Sequence, residues 1–447
     1  MSFPRYPKYK PSGVEWLGEV PEHWDVRSFR HCLCELFNGL TSTQVDETEV
    51  TVPVTRIETI STGTIDESRL GFINAEDARD DRKLRYGDIL FSNINSLNMI
   101  GNCAIYTGGR EIYAGMNLLV LRPASQSEPR WLYWLVRSPA FREVVESLAK
   151  PAINQASISQ SSINSIAVPV PVDSEQTKIA SFLDRETAKI DGLVGEQRRL
   201  IELLKEKRQA VISHAVTQGL NPHAPRKPSG IEWLGDVPEH WEVTPIGHLC
   251  DSISYGFTNP MPTTDEGPFL LTANDVDYGN VKYDTARRTS YEAFRNELTE
   301  KSRPKKDDVL ITKDGTLGRV ALHDGQEACI NQSVASLRVK PNSMLPQFMA
   351  TCLLGGIYQG RMIYDAGGTT IKHIYISRLA KMPIAYPSPS EQDEVLAFLR
   401  EELATLDALT AEAERGIELL QERRTALISA AVTGQIDVRG LAETEAA

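Results

Sequence analysis

No run of apolar residues in this 447-residue chain is long enough to cross a bilayer, and Met1 to Lys10 lack the apolar core of a signal peptide, so a cytoplasmic address is expected. Cysteine is sparse. Cys32, Cys34, Cys103, Cys250, Cys329 and Cys352 are scattered, with no CxxC pair and no nearby CxH spacing. That pattern excludes a compact zinc module, and no metal site is expected; the thiols read as reduced and mostly buried. Catalytic signatures are missing as well: there is no GxxxxGKS/T phosphate loop, no HExxH, no GxSxG elbow and no glycine-rich dinucleotide fingerprint after a strand. Asn259-Pro260-Met261 begins like an amino-methyltransferase motif but lacks the proline and aromatic residue that would hold a flipped base, so it receives no active-site role.

Positive charge is also short. The net charge of −12 argues at first sight against a nucleic-acid partner, because phosphate binding needs Lys and Arg. Its distribution changes that reading. Residues 390–447 hold 5 basic and 13 acidic groups, or −8 of the −12, and 1–173 and 221–389 are close to neutral. A local basic face on either stretch therefore remains open. The acidic stretch reads first as a solvated helix face and tail, and second as a surface facing a basic protein.

What the chain does contain is itself, twice. PSGVEWLGEVPEHWDV at Pro11–Val26 returns as PSGIEWLGDVPEHWEV at Pro228–Val243, and SEQTKIASFLDRETAKIDGL at Ser174 returns as SEQDEVLAFLREELATLDAL at Ser390. YGDILFSNINSLNMIGNCAIY parallels KDDVLITKDGTLGRVAL more loosely, and the stretches after Val26 and Val243 scarcely match. A kept frame around a diverged middle is expected where the frame holds shared partners and the middle reads something different in each copy. His23 and His240, each between Glu and Trp in that frame, read as packed imidazoles rather than general bases, and Trp16, Trp24, Trp233 and Trp241 as packing anchors.

Two long helices are predicted. Residues 174–217 contain no proline, Ser174 and Ser390 offer N-caps, and Gly219 and Gly434 supply stops. Apolar residues recur every eleven positions: Ile179, Ile190, Ile201 and Ile212, with Phe182, Leu193, Leu204 and Ala215. The second copy repeats the beat in Val395, Leu406, Ile417 and Ile428, with Phe398, Leu409, Leu420 and Ala431. Eleven residues in three turns is about 3.67 per turn, so each stripe stays on one face. A helix of this kind rises roughly 65 Å, more than one domain of ordinary size covers. The economical arrangement packs the two stripes together, antiparallel, as a coiled-coil-like spacer. The predicted architecture is α/β or α+β with pseudo-twofold character: globular domains at 1–173 and 221–389, spacer helices at 174–220 and 390–436, and a flexible tail at 437–447.

The diverged segments and nearby loops hold side chains suited to DNA. In the first copy these are Arg56, Arg79, Arg82, Lys83, Arg85, Asn93, Asn95, Asn98 and Arg110, with Gln155 as a further candidate. In the second they are Lys282, Arg287, Arg288, Lys305, Lys306, Lys313, Thr316 and Arg319, with His373 as the counterpart of Gln155. Arg bridges guanine O6 and N7, Asn or Gln pairs with adenine, and Lys neutralises phosphate. Taken singly, each is an ordinary surface residue, as Asp80 and Asp81 beside Arg82 and Lys83 illustrate.

With the doubled PSGxEWLGxVPEHW, the GDIL and DDVL strands, the lead-ins PVPVDSEQ and PSPSEQ, and the helix ends RQAVISHAVTQG and RTALISAAVTGQ, the chain resembles the specificity subunits of type I restriction-modification systems over almost its whole length. The resemblance implies two target-recognition domains, each reading one half of a split, asymmetric site in double-stranded DNA. It implies two DNA methyltransferase subunits bound along the helices and frame, and motor-nuclease subunits joining for restriction. S-adenosylmethionine, ATP and Mg would then belong to those partners, and this chain would do no chemistry. The rival reading is a tandem coiled-coil scaffold joining protein partners without touching DNA; it accounts for the helices but not for a kept frame around diverged loops.

Overall fold

The structure is a computed structural model in which residues 3–61, 63–96, 99–152, 155–367 and 372–441 are described. It divides into two compact units: residues 1–197 with 415–447, and residues 198–414. These units cut across the linear order of domain, spacer, domain, spacer, because each takes half of both long helices.

In the first copy, β1 (Asp25–Ser28), β2 (Leu33–Asn38), β3 (Ile89–Ser92), β4 (Cys103–Ile105) and β5 (Leu118–Pro123) precede α1 (Pro129–Arg137), α2 (Pro139–Leu148) and β6 (Ala167–Val170). An antiparallel sheet runs in the order β2-β5-β3-β4, and β6 pairs with β1 beside it. β3 and β5 are the central strands and are apolar on both faces. Alternation splits them: Ile89, Phe91, Leu119 and Leu121 join the core under α1 and α2, whereas Leu90, Leu118 and Val120 join Ile60, Leu70, Leu84 and Ile112 of the diverged segment. The sheet therefore separates the frame from the variable face.

After the long helix α3 (Asp173–Gln218), the second copy repeats this plan with β7 (Glu242–Pro245), β8 (Cys250–Tyr255), β9 (Val309–Thr312), β10 (Val320–Leu322), β11 (Val334–Val339), α4 (Pro346–Leu354), α5 (Gly356–Asp365) and β12 (Pro383–Tyr386), then α6 (Pro389–Val432). Its sheet order is β8-β11-β9-β10, again antiparallel, with β7 paired to β12. The diverged segments fold differently. In the first copy Thr51–Val54 and Gly71–Asn74 form a two-stranded ribbon; in the second, Thr264–Leu271 pairs antiparallel with Arg287–Arg288 and parallel with Ala328–Ile330.

The doubled motifs have a common mechanical role. Glu175 at the start of α3 is 3% exposed and accepts hydrogen bonds from Tyr6 and from His23, the latter at 2.9 Å. Glu391 at the start of α6 does the same for His240 at 2.7 Å and for the Trp241 indole at 3.0 Å. The neighbouring Gln176 accepts from the Glu128 amide and donates to the Pro171 carbonyl; Gln392 accepts from Leu345 and donates to Pro387. SEQ thus ties each long helix to the EHW ribbon, to the lead-in and to the first frame helix. The stops behave as expected: Gly219 and Gly434 take φ of +71° and +77°. Gly219 lies against Trp241 and Pro238, and Gly434 against Trp24 and Pro21. Both helices begin ahead of the expected caps, at Asp173 and Pro389, because Val172 and Ser388 carbonyls accept the first helical bonds.

Within each unit the two half-helices run antiparallel. In the first, Ile190 and Val194 share a core with Leu427 and Ile428, and Asp191 pairs with Arg424 at 2.9 Å. In the second, Ile212 and Val216 share a core with Val395 and Leu399, and Arg208 pairs with Asp407. Ile179, Phe182, Ile201, Leu204 and Leu406 are buried, and Ile417 and Leu420 are half-buried. Three residues of the expected stripe are not: Leu193 is 51%, Leu409 45% and Phe398 39% exposed. The second row of the beat lies three residues, about 60° of helix rotation, from the first. It is covered only where a globular part reaches it, as Phe3 reaches Phe182. Val194 and Leu399, one position on, fill the seam instead.

Candidate nucleic-acid interface

Each copy has one corner where the central strand leaves the sheet. Its entrance is set by a buried carboxylate. Asp88, 1% exposed, accepts the Arg85 amide at 2.8 Å and two bonds at 2.9 Å from Arg122 on the next strand. Asp308 accepts the Lys305 amide at 2.8 Å and two bonds from Arg338 at 2.9 and 2.7 Å. This is what the aspartate of GDIL and DDVL does. The exit is closed by a repeated backbone bond: Ile158 N–H donates to the Asn93 carbonyl at 3.0 Å, and Ile374 N–H to the Lys313 carbonyl at 2.9 Å.

The exit corner gathers part of each candidate set. In the first copy Asn93, Asn95 and Gln155 meet there, with Asn95 paired in register with Ala156. Asn95 donates to Ser92 at 3.3 Å and accepts from the Ser96 amide at 2.8 Å, and Gln155 is exposed. Asn93 is 8% exposed and its Oδ1 is buried without a hydrogen-bond partner, so it lies behind the surface rather than on it. In the second copy Lys313, Thr316, Arg319 and His373 meet there: Asp314 bridges Lys313 at 2.8 Å and His373 at 2.5 Å, and the Arg319 amide donates to Thr312 at 2.9 Å. Arg319 Nε is buried and unpartnered.

The other candidates do not join that corner. Arg85 and Lys305 stand at the opposite end of the same strands, with Lys306 beside Lys305. Arg79 pairs with Asp81 at 2.7 Å, Arg82 with Asp81 at 3.0 Å, Lys83 with Glu111 at 2.5 Å and Arg110 with Glu47 at 3.1 Å; Arg56 donates to Gln44 at 2.7 Å. The Glu111 carboxylate raises the Lys83 ammonium above its ordinary pKa, holding that charge within the protein's own pairing. Lys282 is bound by Asp277, Lys305 lies 3.6 Å from Glu300, and Arg288 stacks 3.9 Å from the Phe269 ring centroid while donating to the Gly267 carbonyl. Arg287 is exposed on the same short strand. Asn98 lies outside the described residues. Residue type alone did not reveal these pairings, because several partners are distant in sequence.

Sequence reasoning also missed residues. Tyr255, Tyr364 and Tyr375 are exposed in the second copy, each with a cation over its ring: Lys313 at 5.4 Å, Arg361 at 5.3 Å and Arg378 at 5.2 Å. The signal available was the cluster of Tyr and Arg between Arg361 and Lys381, passed over because it lies in the frame-like part. Burial raises the Cys103, Cys250 and Cys329 thiols to about 12, so they stay protonated, and Cys34 is exposed. No helix among the described residues is long and apolar enough to cross a membrane.

The family described as type I restriction modification DNA specificity domain matches residues 21–202 and again 238–419. The MjaX specificity subunit of a type I restriction enzyme from Methanocaldococcus jannaschii is 31% identical over 436 residues, 95% of this chain and 96% of the relative. The EcoKI specificity subunit of Escherichia coli K12 is 20% identical over 441 residues, 95% and 92% of the two chains. Among solved structures, a chain from a structure on complex assembly and conformational transition of the type I R-M system superposes with a TM-score of 0.69 at 16% identity, covering 92% of this chain and 98% of that one. The HsdS subunit of Thermoanaerobacter tengcongensis superposes at 0.51 with 17% identity, covering 93% and 98%.

Proposed function

Because the chain belongs to the specificity subunits of type I restriction-modification systems, and so serves DNA sequence recognition, we propose that its two exit corners read the two halves of a split, asymmetric site. The observation that carries this reading is the repeated backbone bond behind each corner, Ile158 to Asn93 and Ile374 to Lys313, which presents different side chains from the same place in the fold. In the first copy Asn95 and Gln155 supply amides, which pair with adenine edges. In the second, Lys313, Arg319 and His373 supply donors, which suit guanine O6 and N7. Arg287 and Lys306, exposed and outside the corner, fit phosphate contacts better than base contacts.

The chain is a non-catalytic, cytoplasmic subunit. Its partners are DNA methyltransferase subunits and motor-nuclease subunits; S-adenosylmethionine, ATP and Mg belong to them. The uncovered leucines of the long helices support a protein partner along the helices, since Leu193 lies on the first unit and Leu200, Leu203 and Leu409 on the second, all at least 41% exposed. The helices set the length of DNA left unread between the half-sites. A scaffold that ignores DNA is not favoured by the family membership.

Sequencing of methylated adenines in a host expressing this chain with its methyltransferase tests the reading. Two unlike half-sites with one fixed gap are expected, and one helical turn inserted between residues 195 and 205 lengthens that gap without changing either half. Methylation without a motif, or an unchanged gap, contradicts it.

A further inference from the structure

The two exit corners differ in more than the bases they suit. Beside each stands a short helix, Gln160–Ser165 in the first copy and Ile376–Lys381 in the second. Both are anchored alike: Ile163 and Leu379 are buried, and the residue after each helix, Ile166 or Met382, accepts an amide hydrogen bond from Phe29 at 2.7 Å or Ile246 at 2.9 Å. Their outer faces are unlike. The first carries Ser161, Ser162 and Ser165, whose hydroxyls bond within the helix and its cap. The second carries Arg378 and Lys381, three residues apart on one exposed face.

The cationic surface continues from there. Arg378 donates to the Asp365 carbonyl at the end of α5, and Arg361 on α5 donates to the Asp365 carboxylate at 2.7 Å. Tyr364, 80% exposed, and Tyr375, 45% exposed, lie beneath Arg361 and Arg378, so the guanidinium planes are held against rings with donors left over. Exposed Lys372 adjoins His373 of the corner itself. Asp365 is the carboxylate that meets this group.

We propose that Arg361, Lys372, Arg378 and Lys381, braced by Tyr364 and Tyr375, form a sequence-independent grip on the DNA phosphate backbone beside the second half-site, a grip the first copy lacks. It rests on the reading of the exit corners as DNA-facing. Charge decides the occupant: the residues are cationic, four against one carboxylate, and guanidinium planes match phosphate oxygens two at a time. The first half-site is then held by base contacts, and most of the counterion release on binding comes from the second.

The test uses the purified complex of this chain with its methyltransferase, and duplex DNA carrying its methylated site, titrated at several salt concentrations. R361Q/R378Q/K381Q is expected to weaken binding at low salt for every sequence. The slope of log affinity against log salt flattens by about 0.9 for each phosphate released, so by roughly 2 to 3 in all, with the methylated sequence unchanged. In the opposite direction, S162R/S165K in the first copy steepens the slope by up to about 2. A slope unmoved by both variants overturns the grip, as does loss of methyltransferase assembly without a change in slope, which makes the face a protein contact. If the unaltered complex selects no sequence at all, the reading of the corners fails instead, and that result is distinct from either.

Discussion

Asp88 and Asp308 occupy the same point in the two sheets and hold arginines through the same two bonds, but Arg122 is 7% exposed and Arg338 30%. The first copy carries a sealed ion pair; the second carries one that water reaches. The same contrast runs through both copies: the frame keeps its residues and geometry, while everything across the sheet from it changes in fold, charge and exposure. A frame that makes its own hydrogen bonds, as Glu175 with His23 and Glu391 with His240 do, leaves the opposite face free to diverge without unfolding the domain.

The largest expected difference between the copies follows from that ion pair. Asp88→Asn leaves the Arg122 charge enclosed, with only the exposed Glu35 as its other carboxylate partner, and costs about 3–5 kcal/mol of stability. Asp308→Asn costs about 1–2 kcal/mol, because Arg338 turns to solvent. Denaturant melts of the two variants check this, and equal losses would break the comparison. Next comes the helix seam: Ile190→Ala or Leu406→Ala costs about 2–4 kcal/mol. Leu193→Ala and Leu409→Ala stay within about 0.5 kcal/mol of the parent but weaken co-purification with the methyltransferase.

A smaller effect is expected at the turn before the central strand. Gly87 takes φ of +89° there, and its counterpart Asp307 takes +68°. Asp307→Gly is expected to raise the melting stability of the second copy by about 1 kcal/mol, and Gly87→Ala to lower that of the first by at least as much. Pro129, 2.8 Å from where that Cβ would stand, adds to the cost.

The smallest difference is one of pH. His323 occupies the place that Tyr106 holds in the first copy, each donating its amide to the buried aspartate's carbonyl. Burial lowers the His323 imidazole below its ordinary 6.5. The unfolded chain therefore takes up a proton first, and the stability His323 lends is complete above pH 6.5 and is lost as pH falls toward its folded value. His323→Tyr should remove that part of the acid sensitivity, read as a flatter melting profile between pH 6.5 and 5.

Much of this organisation was legible in the residues. The doubled motifs, the helix stops at Gly219 and Gly434 and the eleven-residue beat are local patterns, and local physics carries them into the fold. The exposure of Leu193, Phe398 and Leu409 was not legible, since it depends on which globular part overhangs the helix. Nor was the candidate interface, except at its corners. Lys83 and Arg110 look free until Glu111 and Glu47 close on them, and only the folded chain brings Arg110 within reach of a carboxylate 63 residues away. Asn93 has the right chemistry for adenine, but burial withdraws it.

The division between shared frame and separate reading corners is tested most directly by mapping methylated adenines for the parent chain beside Lys313→Ala/His373→Ala and Asn95→Ala/Gln155→Ala, each expressed with the methyltransferase. The first pair is expected to relax or alter the second half-site alone, the second pair the first half-site alone, with the gap unchanged in both. Variants that alter both halves together, or neither, would contradict it.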